Sequence, residues 1–165
     1  MNWKHVAATA AVVFSAASAH AATFDGTLYY TLFTGGQNVN SITYHYDDST
    51  QTLTLGAPTN IVSTPGADGI IFQPNGDLLV GGQSTRAVYD VNIASKTFTS
   101  VFPGTTDAFH LALDPSGTKF YTSPFGGSLD VVPLPFGTAG TTHTITGGDT
   151  GVTQIAFGTG TNNVF

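Results

Sequence analysis

Three segments of this chain repeat one another at spacings of about 41 and 44 residues. A repeat of that length confines the fold to stacked like units, each burying apolar surface against its neighbours. The first segment is Gly69-Ile70-Ile71-Phe72-Gln73-Pro74-Asn75-Gly76-Asp77-Leu78-Leu79-Val80. The second is His110-Leu111-Ala112-Leu113-Asp114-Pro115-Ser116-Gly117-Thr118-Lys119-Phe120-Tyr121, and the third runs from Gln154-Ile155-Ala156-Phe157 to Phe165. Each reads as a short apolar strand, a turn and a second apolar strand. In Asp114-Pro115-Ser116-Gly117 the proline presets the first turn dihedral, glycine accepts positive φ, and the Asp carboxylate can take a backbone amide ahead of it. Gln73-Pro74-Asn75-Gly76 repeats the pattern, and the third segment lacks the proline.

The other half of the unit recurs as well. Tyr44-His45-Tyr46-Asp47-Asp48-Ser49-Thr50-Gln51-Thr52-Leu53-Thr54 resembles Tyr89-Asp90-Val91-Asn92-Ile93-Ala94-Ser95-Lys96-Thr97-Phe98-Thr99, about 45 residues on. Gly35-Gly36-Gln37 echoes Gly81-Gly82-Gln83. Joining the halves predicts four strands per unit. The first ends at the Pro-Gly turn, the second at the Gly pair, the third runs near Ala87–Val91 and the fourth near Thr97–Phe102. A four-stranded antiparallel unit of this length is the blade of a β-propeller. The expected fold is therefore all-β, with blades of about 41–45 residues in an incomplete ring of about three.

The run Phe109 to Tyr121 resembles the blade signature of the NHL, YVTN and gluconolactonase-like propellers, a strand, an Asp-Pro-x-Gly turn and a strand closing on Tyr. The likeness extends, as repeats, over most of residues 28–165. The chain lacks the YVTN tetrapeptide and the Trp-Asp pair of WD40 blades. The resemblance implies architecture and no single activity, because propellers host many unrelated functions. Gluconolactonase-like propellers use a Glu among their metal ligands. This sequence contains none, so that activity does not carry over.

Met1–Ala21 reads as a secretory signal peptide, with Lys4 in the n-region, an apolar run from Val6 to Ala17, and Ala19-His20-Ala21 before the cleavage point. The apolar run falls short of the ~20 residues a spanning helix needs, and no other stretch reaches it, so no membrane span is expected after cleavage. The expected destination is the periplasm or extracellular space of a bacterium. Residues 22–165 form the repeat domain, about 144 residues, enough for about three blades and the start of a fourth. Ending inside a second strand would leave an unpaired edge, so the sequence is expected to be the front part of a longer propeller. There is no cysteine, so the fold must stand on packing and strand pairing. With four Lys plus Arg and a net charge of −6, the chain cannot supply the basic footprint of a nucleic-acid binder.

Candidate ligand-binding residues stand where the chain enters each inner strand: Asp68, Asp107, His110 and Gln154. A His beside an Asp can act as an oriented base or contribute to a cation site, and both types also commonly hold loop amides. The acidic run Asp47-Asp48-Ser49-Thr50 lacks the glycine and distal Glu of an EF-hand loop and reads as a hairpin turn. Arg86 is expected to pair with a surface Asp. No nucleophile elbow, P-loop, HExxH or dinucleotide fingerprint in a strand–helix setting is present. The leading expectation is an exported binding or scaffold module whose partner is a protein or glycan at the cell envelope, with Tyr29, Tyr30, Phe125 and Phe136 as exposed aromatic candidates. One alternative is a metal-dependent propeller hydrolase or lactonase, using a divalent cation such as Ca2+ on Asp68, Asp107 and His110 with ligands from further blades. The other is an extracellular structural or adhesive β protein.

Overall fold

The computed structural model describes residues 22–33, 36–83, 85–103, 107–136, 139–145, 151–152 and 154–157. The predicted signal segment Met1–Ala21, Gly35 of the glycine echo, and most of the third repeat segment lie outside them. Among the described residues there are twelve β-strands and no helix, in three four-stranded antiparallel sheets. The first sheet holds β1 (Thr23–Thr31), β2 (Val39–Asp47), β3 (Thr52–Leu55) and β4 (Thr59–Val62). The second runs in chain order through β5 (Ile70–Phe72), β6 (Leu78–Gly81), β7 (Ala87–Asn92) and β8 (Thr97–Pro103). The third does the same through β9 (His110–Leu113), β10 (Lys119–Ser123), β11 (Ser128–Pro133) and β12 (Thr141–Thr144). The last two sheets have the strand plan expected from the repeat.

The first sheet differs. β1 and β2 pair along their whole length, from Thr23 opposite Asp47 to Thr31 opposite Val39. β3 and β4 then share the outer edge of β2, β3 against Tyr44–Asp47 and β4 against Val39–Ser41. The break falls at Gly56-Ala57-Pro58, where proline has no amide to give to the ladder. Gly56 donates to the Thr43 carbonyl at 2.9 Å, and a side chain there would collide with the Thr43 hydroxyl. By the Tyr44/Tyr89 alignment, β2 matches β7 and β3 matches β8, which makes β1 the counterpart of β6. No described strand occupies the inner position held by β5 and β9 in the other sheets.

Strand alternation sends successive side chains to opposite faces, and the middle sheet buries both. Leu78, Val80, Tyr89 and Val91 join Val39 and Ile61 of the first sheet in one core cluster. Leu79 and Val88, from the other face, join Phe120 and Val132 of the third sheet in a second. All four residues of β6 are consequently buried. Each such Leu, Val or Phe contributes about 1.5–3 kcal/mol by leaving water.

The turns close as the sequence anticipates. Gly76 and Gly117 have φ of 89° and 68°, and their amides donate to Gln73 O and Asp114 O at 3.0 and 2.9 Å. Asp114 takes the Lys119 amide at 2.7 Å and also accepts from the Ser116 amide and hydroxyl. Asp47 takes the Ser49 amide and hydroxyl at 2.8 and 2.6 Å, which holds the hairpin turn. Those Ser49 bonds lower the Asp47 carboxyl below its ordinary value. At Asp114 burial pushes upward, but the Ser116 hydroxyl and the Lys119, Thr118 and Ser116 amides outweigh it, and the carboxyl is again lowered.

Leu79→Ala is expected to cost about 2–5 kcal/mol in urea unfolding, because it empties a site enclosed by two sheets. Lowered folded pKa values mean that the turn contribution of Asp47 and Asp114 is whole above the ordinary value of 3.8 and lost as pH falls through the lowered ones. Acid titration of an Asp47→Asn, Asp114→Asn double variant should therefore show a shallower stability loss below that pH than the parent.

Candidate functional site

The inner strands β5 and β9 enter their sheets side by side. Gly69 donates to the Phe109 carbonyl at 2.6 Å, and Gly81 donates to the Gly69 carbonyl at 2.8 Å. A side chain on Gly69 would strike the Phe109 and His110 backbone, and one on Gly81 would strike the Ala108 and Phe109 carbonyls. The two glycines thus let neighbouring sheets meet backbone to backbone, and this contact gathers three of the four predicted residues at one end of the stack.

Asp68 precedes Gly69. Its amide donates to Gly81 O at 2.9 Å and its carbonyl accepts the Thr31 hydroxyl. Partial burial raises the Asp68 carboxyl above its ordinary value, and the charge of nearby His110 opposes that rise. His110 opens β9 opposite Ser123 of β10. Its imidazole meets the Phe125 ring edge-on at 4.9 Å, and Phe125 also packs on Phe109 at 4.4 Å. Among the described residues, His110 Nε2 and the fully buried Ser123 Oγ have no hydrogen-bond partner. Asp107 lies 3.6 Å from Arg86, the surface pairing expected for that arginine. Both side chains are well exposed, so the pair is worth little to stability. Gln154 is exposed and makes no hydrogen bond among the described residues; Phe157, three residues on, packs on Tyr121 at 5.0 Å. The structure therefore brings Asp68 and His110 into electrostatic contact and sets Asp107 and Arg86 nearby; Gln154 follows Val152, whose amide donates to the Gly126 carbonyl at 3.4 Å, one residue from Phe125.

Two features of this end were missed from the sequence: the bridging role of Gln83, and the left-handed backbone of Phe125, itself one of the exposed aromatics expected of a binding module. Gln83 spans it, with its backbone bridged to Ala108 and its side-chain amide donating to Ala67 O at 2.7 Å. Phe125 stands there with φ of 49° and is 45% exposed. A bulky residue at positive φ is a genuine outlier. The available signal was Pro124-Phe125-Gly126-Gly127, a tight loop that places an aromatic where glycine would be relaxed.

A cleft of about 520 Å³ lies at the opposite end, among the Pro-Gly turns, lined by Gln73, Pro74, Asp90, Leu134, Pro135 and Phe136. Gln73 donates to Asp90 across its floor at 2.6 Å. Among the described residues no three His or Asp side chains are grouped so that they could share a cation, and no helix is long and apolar enough to cross a membrane. No protein-family model matches the sequence, and no curated protein matches it.

Because burial holds Asp68 above the ordinary carboxylate value, its ionised form burdens the folded state at neutral pH and that burden lifts as pH falls through the raised pKa. Asp68→Asn should raise the melting temperature near neutral pH, with the gain shrinking toward zero below the ordinary value of 3.8. An equal gain at both pH values, read by thermal melts, would show that the carboxylate is not what burial penalises.

Proposed function

We propose that the chain is an exported, noncatalytic binding module built of β-propeller blades, and that its ligand is a glycan of the cell envelope held at the loop end of β5 and β9. The observation that carries this reading is Phe125. Its backbone is strained and its ring is propped outward on Phe109 and His110. Strain of this kind costs about 1–3 kcal/mol and persists where a side chain is needed in a particular place.

An exposed aromatic face flanked by charged hydrogen-bonding groups suits a sugar ring, which presents an apolar C–H face and a rim of hydroxyls. Asp107 and Arg86 supply an acceptor and a donor, each more than a third exposed. Binding sites of this type combine apolar surface with a few placed polar groups. Export is supported by the Met1–Ala21 leader pattern. The propeller architecture is supported by the repeat and by the serial stacking of the three sheets through matching faces.

The test is an envelope-polysaccharide array followed by calorimetry on the strongest ligand. Phe125→Gly relieves the backbone and removes the ring contacts, terms of similar size, so stability should stay within about 1 kcal/mol of the parent. Affinity should fall at least tenfold, the loss of an aromatic anchor. Phe136→Ala, in the cleft at the other end, should leave affinity unchanged. Binding that survives Phe125→Gly, or that fails with Phe136→Ala instead, would move the site elsewhere.

A further inference from the structure

The cleft at the turn end of the stack, about 520 Å³, lies between the second and third sheets and has the size of a small-molecule site. Its walls are apolar. Pro74 comes from the turn of the second sheet, and Leu134, Pro135 and Phe136 come from the segment that follows β11. These walls are in place before any ligand arrives. A side chain on Gly117 would strike the Pro74 ring, so the two Pro-Gly turns already touch. The Leu134 amide donates to Thr118 O at 2.7 Å, and the Phe136 ring packs edge-on to Phe120 at 6.0 Å.

Among the described residues that line the cleft, Asp90 alone carries charge. It alternates along β7 with Tyr89 and Val91, which face the first sheet, so its carboxylate is turned toward the third. Asp77 and Asp114, in the turns nearby, are taken up by local amides and side chains. Asp90 has no such task. Among the described residues it accepts one hydrogen bond, from Gln73 Nε2 at 2.6 Å, and no Lys, Arg or His stands within ion-pair distance of it. Gln73 is only 8% exposed, and its Oε1 accepts no hydrogen bond among those residues. Two linked acceptors, one of them anionic, thus face an apolar cleft that holds no positive charge of its own. A carboxylate in such surroundings is costly until a cation pairs with it.

We propose that the cleft binds a small organic cation, a primary ammonium on an aryl or alkyl body. Asp90 supplies the counter-charge. Its remaining lone pairs and Gln73 Oε1 accept the ammonium N–H groups. Pro74, Leu134 and Phe136 cover the apolar body. An anionic ligand is repelled by Asp90, and a neutral one leaves the carboxylate without a counter-charge. The cleft lies at the other end of the sheets from Phe125, and the inference stands independently of the glycan reading.

Calorimetry of the folded protein with phenethylamine at neutral pH, set against its neutral isostere phenethyl alcohol, tests it. The amine is expected to bind at least tenfold more tightly than the alcohol. Asp90→Asn keeps the shape of the side chain and removes its charge, so the amine should fall to the affinity of the alcohol. Phe136→Ala should weaken both ligands, and Phe125→Gly should weaken neither. Equal affinities of the parent for the two ligands overturn the inference, as does the absence of amine binding at about 10 mM. An amine affinity that survives Asp90→Asn, or that is lost with Phe125→Gly instead, overturns it too. Should Asp90→Asn fail to fold by circular dichroism, the amine-to-alcohol ratio of the parent and the loss with Phe136→Ala decide the matter. A ratio of one, or an amine affinity unchanged by Phe136→Ala, then overturns the assignment.

Discussion

Everything in this structure hangs on the double burial of the middle sheet. β6 is four residues long and none of them reaches water. Its side chains alternate between the two clusters, Leu78 and Val80 toward the first sheet and Leu79 toward the third. The three sheets therefore cannot be treated as independent hairpin stacks. Without either neighbour, one face of β6 and β7 would stand open to water, at a cost of several side-chain burials. The chain has no disulfide to compensate, so cohesion rests on this sandwiching.

The close approach of the inner strands is the second consequence. Where β5 meets β9 there is no room for a Cβ at Gly69 or Gly81, and the sheets touch through peptide groups. That contact draws the loops before β5 and β9 together and puts Asp68, His110 and Phe125 in one neighbourhood. The same crowding partly removes the Asp68 carboxyl from water and leaves Ser123 Oγ and His110 Nε2 without hydrogen-bond partners among the described residues. A polar cluster left partly unsatisfied beside a strained aromatic is not what packing alone would select. At the opposite end of the sheets the carboxylates of the turns are well occupied. Asp47, Asp77 and Asp114 each accept several local hydrogen bonds and hold the hairpins closed. Asp77 carries out that task between two hairpins, taking the Asn92 side chain and the Ile93 amide.

The strand plan of the second and third sheets was legible because period-2 apolar runs and Pro-x-Gly turns are local signals, and both occur twice at matching spacing. The first sheet was less legible. Its outer strand is divided at Gly56-Ala57-Pro58, and which segment pairs with which part of β2 is a matter of long-range register. Of the candidate residues, Asp68, Asp107 and His110 could be placed at the entries to inner strands by counting along the repeat. Their partners could not. Arg86 reaches Asp107, and Phe125 reaches His110, only after a loop from one hairpin folds against the start of another strand.

By itself, then, the sequence determined the class of structure, the length of the unit, the position of its turns and the end of each sheet at which the candidate residues stand. These follow from local dihedral preference and from the alternation of side chains along a strand. Only the tertiary structure decided which faces are buried. Phe24, Tyr46 and Leu53 are as apolar as Leu78, Val91 and Phe98 and occupy the same register, yet the first set is open and the second enclosed. Burial depends on what lies across the next ten ångströms or so of space, and no local pattern contains that information.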